Sequence, residues 1–447
     1  MPALTFGESR LQSSAANDSI TPTPVDMATL HAWLEREVEW GDDLHLRQVR
    51  LNRMWAGRHG TLSLELALDL TSKGASCTHL LQGVCGSDEL PRRSHRRAKF
   101  TRHGLSGLRL ASDELGLWCC TPDRDPKLKV VRELLHESRA ATVLAATAAG
   151  PLLGLDRAGA RVRCKIAGYR AGRRCALQAW TTDAQDRQGV FVKVFRRAPT
   201  TERIEALRRL TTFLEARSHG RVRAPALVDF RPAERLLITE AIPGETSSLG
   251  MGADDLSEAA NALAIVHDAP IIPRLTVHTA QDEFQTVCRW VPALRVAGEG
   301  RYVRLRELVV RLGDLVTTLD EQGAVLIHRD FFAAQLPRQG KTLWVVDLDT
   351  LSVGHPELDV ATFLAHLFLD GLTAGVAPDE ITEAAGRFVE AYRRSGGRVA
   401  NHRLRFYLPC ALARLGAIHA ARDVPAGVVD ELWRMAESHL ADFRPWG

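Results

Sequence analysis

Val325-Leu326-Ile327-His328-Arg329-Asp330-Phe331-Phe332-Ala333-Ala334-Gln335, followed after a short turn by Leu343-Trp344-Val345-Val346-Asp347-Leu348-Asp349, governs how the rest of the chain reads. Two apolar runs each end on an aspartate, and an amide side chain stands five residues after the first aspartate. Each run reads as a strand that delivers its carboxylate into a loop. Metal-assisted phosphoryl transfer requires that equipment: one carboxylate to orient a hydroxyl nucleophile, and an amide with a second carboxylate to hold the Mg²⁺ that neutralises the β- and γ-phosphates. Asp330 is therefore the candidate catalytic residue, and Gln335, Asp347 and Asp349 are the candidate metal ligands. Each aspartate alone is an ordinary turn residue; the joint spacing singles them out. His328 reads as a residue that fixes the loop, and Asp359, ahead of the apolar run Val360 to Leu367, as a cap or loop-fixing residue.

A cation for the phosphates is expected upstream. Lys193 lies inside the apolar run Val190-Phe191-Val192-Lys193-Val194-Phe195, where an unpaired buried ammonium is costly. Phosphate oxygens of ATP and a carboxylate from the following helix would satisfy it. Glu202, Glu205 and Glu215 are the available carboxylates, and Glu205, well inside that helix, is favoured. A lysine on the solvent face of a half-exposed strand is the plainer alternative. Glu240-Ala241-Ile242 could offer backbone groups to an adenine edge, or serve as a linker.

The composition is that of a soluble globular chain. At 447 residues, 45% apolar and 25% charged, it can fill two or three domains with real cores. A net charge of +4 gives little reason to propose nucleic acid or a membrane as a partner. The first 25 residues lack the apolar stretch of a secretory signal, and Ala140 to Leu155 is too short and too interrupted to span a bilayer, so a cytoplasmic location is expected. The eight cysteines form no CxxC pair and read as small core residues in a reducing compartment.

Along the chain, residues 1–26 read as a disordered lead, and 27–40 carry helical spacing. Thr61 to Leu70 places leucine at every second position, a strand, with Leu80 to Cys85 as its partner. Residues 91–104 form a basic run that reads as a solvated loop or as a phosphate or nucleic-acid patch. Lys127 to Thr147 reads as helix, before a Gly/Pro break near 150. Three strands follow, over 162–166, 175–180 and 190–195, then a helix starting at Pro199-Thr200-Thr201, a strand over 235–239, and mostly helix beyond Asp254. The expected class is α+β, a sheet-rich lobe (151–243) feeding a helical lobe (244–447), preceded by an α+β domain (27–150). Trp55-Ala56-Gly57-Arg58 before one strand parallels Tyr169-Arg170-Ala171-Gly172-Arg173 before another, so residues 45–120 read as a decayed copy of the sheet lobe.

From about Val162 onward, His328-Arg329-Asp330 with Gln335, Asp347-Leu348-Asp349 and Gly354-His355-Pro356 before Asp359 resemble the aminoglycoside phosphotransferase and choline kinase group. The resemblance implies a bilobal protein-kinase-like fold, ATP and Mg²⁺, and a small-molecule hydroxyl as acceptor, with Asp330 catalytic, Asp347 on the metal and Lys193 on the phosphates. It favours small-molecule kinases over protein kinases, because the metal loop reads Asp-Leu-Asp and no Ala-Pro-Glu segment follows. The departures are Gln335 where the group usually has Asn, a substitution that maltokinase-like sugar kinases share, and His355 where it often has Asp. No GxGxxG is present, so Gly172-Arg173-Arg174 would cover the phosphates, Arg173 foremost. The competing reading is a nucleotide-binding pseudokinase or regulatory module. Acceptor and oligomeric state are not set by the sequence.

Overall fold

The computed structural model describes residues 26–443, apart from 41–43, 58–60, 73–74, 87–93, 102, 157–158, 182–188, 321, 421–423 and 426. Residues 1–25 of the expected lead, Arg58 of the repeat, and Arg92, Arg93 and Arg102 of the basic run therefore lie outside the described residues. The chain divides into two compact units, Met1–Pro199 with Leu227–Pro243, and Thr200–Ala226 with Gly244–Gly447.

The first unit holds two five-stranded sheets. In the first, β1 (Leu44–Ala56), β2 (Leu62–Ser72) and β3 (Ala75–Cys85) form a meander, and β4 (Arg109–Ser112) and β5 (Leu117–Cys120) complete the order β1-β2-β3-β5-β4. The leucine alternation at 62, 64, 66, 68 and 70 makes β2 a central strand, paired antiparallel on both sides. The helix Met27–Glu37, capped by Asp26 on the Thr29 amide, buries Leu30, Trp33 and Leu34. The second sheet contains β6 (Val162–Arg170), β7 (Arg174–Thr181), β8 (Gly189–Phe195), β9 (Leu227–Arg231) and β10 (Leu236–Glu240), in the order β6-β7-β8-β10-β9. Both sheets are antiparallel throughout and, numbering each from its own start, share the order 1-2-3-5-4. The two Ala-Gly segments of the sequence repeat fall at the same place in each, after the first strand.

The Gly/Pro break near 150 is not a break in packing. Val131, Leu134, Ala140, Leu144, Ala149 and Leu153 share one core with Cys164, Leu177, Val192 and Ile238 of the second sheet. The expected single helix over 127–147 is a series of short ones, Val130–Leu134, Glu137–Ala145 and Ala149–Leu152, with extended backbone at His136 separating the first two. Among residues 94–104, the strand Lys99–Thr101 is exposed and pairs with Gly104–Ser106 as a hairpin, and Arg96 bonds Glu37 at 3.0 Å.

The second unit is mostly helical. Its first helix, Thr201–Ser218, starts at Thr200, whose side chain accepts the Arg203 amide, and packs on Val222–Arg223 and on the helix Ala253–Asp268. Those contacts, rather than chain order, separate it from the strands that precede it. Helix Glu357–Thr373 is buried almost all round because Pro378–Arg394, Asn401–His419 and Val428–Ala441 cover it. All eight cysteines are free thiols, and six are buried. Among the described residues, no helix is long and apolar enough to cross a membrane.

Candidate active site

The two motif strands are not each other's partners. Val325–Ile327 pairs antiparallel with Ser352–Gly354, whereas Thr342–Trp344 pairs with Val222–Arg223 and Arg338–Gln339. Their loops are joined instead by cross-ties on either side of Asp347. The Val346 amide donates to the Gln335 carbonyl at 3.0 Å, His328 Nε2 bonds the Val346 carbonyl at 2.9 Å, and the Thr350 hydroxyl donates to the His328 carbonyl at 2.7 Å. Asp330, Gln335, Asp347 and Asp349 thus stand on two loops that share a hydrogen-bonded seam.

His328 is fully buried and spends both ring nitrogens on this seam. Nδ1 accepts the Asp330 amide at 3.2 Å, so Nε2 carries the proton that the Val346 carbonyl accepts. This makes it a loop-fixing residue. Asp359 supports the same loop from beneath: its two oxygens accept the amides of His328 and Arg329, each at 2.6 Å, and His267 Nε2 lies 3.1 Å away. His267 is itself held by the Tyr392 hydroxyl at 2.6 Å. The sequence pointed to Asp359 but not to His267 and Tyr392. Their only signal was a histidine at the C-terminal end of an apolar helix.

Both loops store backbone strain. Arg329 and Asp347 adopt left-handed φ values of 71° and 58°, a region that disfavours side chains other than glycine. Arg329 is half-buried, and loss of solvent pulls its guanidinium below the usual range, with Glu283 opposing and Arg414 and Arg203 adding to the effect. Its Nε meets no partner among the described residues, and neither does Nε of Arg203, which lies near Asp349. Arg203, in the first turn of its helix, was not singled out by sequence; one more arginine in a charged helix carries no local signal.

Glu205, favoured as the lysine's partner, is gripped within its own helix by Arg209 at 2.6 Å and Arg208 at 3.9 Å. Four acidic residues of the helical unit, Asp255, Glu258, Asp282 and Glu283, already have partners within it. Asp255 and Glu258 bond Arg338, Asp282 forms a capping box with Thr279, and Glu283 is buried between His278 and Arg414. Burial pushes the Glu283 carboxyl up, but Arg414 and the His278 hydrogen bond outweigh it and hold the group at about 2.

In the first unit, Lys193 is half-buried on the face of β8 opposite Val190, Val192 and Val194, which enter the core. Its ammonium lies 5.9 Å from the Phe191 ring centre. Strand alternation therefore spares the lysine the full burial that its apolar neighbours suggested. Arg173 occupies the turn between β6 and β7, with Arg170 and Arg174 beside it. Arg170 stacks 5.1 Å over the Trp55 ring, and burial followed by the charges of Arg173 and Arg174 pulls its guanidinium down. At the end of β10, Glu240 Oε1 is buried without a partner among the described residues, and the Ala241 amide donates to the Gly189 carbonyl. Lys193, Arg173, Glu240 and Ile242 belong to the first unit; Glu205 and the four motif residues belong to the second.

Residues 176–407 match the model of the family described as "Phosphotransferase enzyme family", just over half of the chain. The chain belongs to this phosphotransferase family. No curated protein matches it in sequence. Solved structures similar to the phosphotransferase include a choline kinase from Cryptosporidium parvum Iowa II (10% identity, 68% of this chain and 94% of that one, TM-score 0.47). A choline kinase from Streptococcus pneumoniae matches at 15% identity over 62% and 92%, TM-score 0.41. A glucosamine kinase in complex with glucosamine, ADP and inorganic phosphate matches at 16% over 95% and 100%, TM-score 0.41.

The donor set suits a hard divalent cation: two carboxylates and an amide oxygen on adjoining loops. Among the described residues, no three His, Cys, Asp or Glu side chains are grouped to hold a metal alone. Mg²⁺ asks for no such cage, since it is bound through one or two carboxylates together with substrate phosphates.

Proposed function

We propose that this phosphotransferase moves the γ-phosphoryl group of ATP to a hydroxyl of a small polar molecule. The observation that carries this reading is the seam through Val346, which ties the loop of Asp330 and Gln335 to the loop of Asp347 and Asp349. In this reading Asp330 orients the acceptor hydroxyl and takes its proton as the phosphoryl group arrives. Asp347, Asp349 and the Gln335 amide oxygen would hold Mg²⁺, which supplies charge neutralisation at the β- and γ-phosphates. Lys193 and Arg173 would contact phosphates, with Glu205 as a carboxylate for the lysine, and Glu240 to Ile242 would border the adenine. The strained backbone at Asp347 supports the assignment, because such conformations persist where function holds them.

The test is turnover of Mg·ATP against a panel of hydroxylated amines and sugars, including the choline and glucosamine named for the similar structures, in wild type and Asp330→Asn. Phosphorylated product in wild type, with kcat lowered about 10²–10⁴-fold in the variant, is the expected result. ATP binding with no transfer to any acceptor would favour the pseudokinase reading instead.

A further inference from the structure

The turn that joins β6 to β7 is held by side chains of residues far upstream. The Ala171 amide donates to Gln82 Oε1 at 2.8 Å, and the Gly172 amide donates to Asp125 Oδ2 at 2.7 Å, from partners 89 and 47 positions away. Gln82 also donates through Nε2 to the Tyr169 carbonyl at 2.6 Å, and the Tyr169 hydroxyl donates to the same Asp125 oxygen at 2.9 Å. Gln82 is itself fixed by Glu65 Oε2 at 2.8 Å, and Glu65 by Asn52 at 2.6 Å. Gly172 has a φ of +64°, and a Cβ there would meet the Trp118 ring at 3.2 Å, so the turn sits directly on the first sheet.

These bonds use the two consecutive amides that a glycine-rich loop would otherwise aim at phosphate. With those donors committed to Gln82 and Asp125, the turn offers phosphates its guanidinium groups. Two of them, Arg173 and Arg174, stand at one tight turn whose backbone is fixed by Gln82 and Asp125, while Arg170 beside them stacks on Trp55. A guanidinium carried on a rigid backbone loses less freedom on meeting an anion than one carried on a mobile loop.

We infer that Gln82 and Asp125 are positioning residues for phosphoryl transfer: they lock the β6–β7 turn so that its arginine side chains, and not its backbone amides, receive the nucleotide phosphates. The inference rests on the reading of this turn as the phosphate cover, and it makes the first sheet a working part of the nucleotide site.

The test compares the affinities of the full-length protein for Mg·AMP-PNP and for adenosine, by calorimetry, in wild type, Gln82→Leu, Asp125→Asn, Arg173→Ala and Arg174→Ala. A residue that only stabilises the fold would weaken both ligands alike. Expected are losses of about tenfold for Mg·AMP-PNP in Gln82→Leu and Asp125→Asn with adenosine unchanged, matched by at least one arginine variant. If the arginine variants lose affinity while folded Gln82→Leu binds both ligands as wild type does, the positioning role is overturned and the phosphate-cover reading stands. If neither arginine variant affects Mg·AMP-PNP, the cover reading fails and the inference with it. Should Asp125→Asn not fold, Gln82→Leu, which removes the acceptor of the Ala171 amide and the donor to Tyr169 and Glu65 but no charge, decides by the same readout.

Discussion

At Asp347 a carboxylate occupies a backbone conformation that glycine would adopt without strain, and in the interior of the same unit Glu283 remains ionised. The second case has a measurable consequence. The Glu283 carboxyl is held at about 2 against an ordinary 4.5, so its contribution to stability is fully present above 4.5 and is lost as pH falls from there towards about 2. Glu283→Gln removes that contribution at every pH. The stability gap between wild type and variant, from urea unfolding, should therefore be largest above pH 4.5 and shrink steadily below it. A gap that stays constant through this window would mean that Arg414 and His278 do not hold the charge. At this scale chemistry and spacing coincide in the sequence at Asp330, Gln335 and Asp347, whose loops the fold joins through one hydrogen-bonded seam. It was silent about Arg203, His267 and Tyr392, whose parts come from neighbours distant in sequence.

Elements turn the same residues into faces. β8 sends Val190, Val192 and Val194 into the core and Lys193 to the other side, so side-chain alternation separates the stability of the strand from its chemistry. Lys193→Ala should then change unfolding free energy by less than about 0.5 kcal/mol. It should weaken Mg·ATP binding about ten- to a hundredfold, the ~1.5–3 kcal/mol of a hydrogen bond to a charged group. Denaturant melts and nucleotide titration on one preparation check both halves; a large loss of stability with intact binding would reverse the assignment. The three strands of the second sheet's meander and the helix capped at Thr200 were legible because each repeats a local period or carries a local cap. The break of the expected helix over 127–147 was not, because His136 leaves helical geometry without a glycine or proline to announce it.

For the molecule as a whole, the boundary read near residue 150 and the packing disagree. Val131, Leu134, Ala140 and Leu144 cover the face of the second sheet that carries Cys164, Leu177 and Val192. A chain lacking residues 1–150 would expose that face, and we expect it to be recovered as aggregate where the full chain is monodisperse by size-exclusion chromatography. A soluble, folded fragment starting at 151 would show that the second sheet needs no cover from upstream. The two sheets share the 1-2-3-5-4 order, and the Ala-Gly segments read as a sequence repeat follow the first strand of each. The phosphotransferase chemistry and the order of the main elements could be read from the chain alone, because strand-and-loop motifs and hydrophobic periods are written in neighbouring residues. Folding was needed to show which distant groups hold those loops: Asp359 beneath the Asp330 loop, Val346 as the seam, Gln82 and Asp125 beneath the arginine turn. A hydrogen bond across 30 to 89 positions has no sequence period, and it exists only once the chain has folded around it.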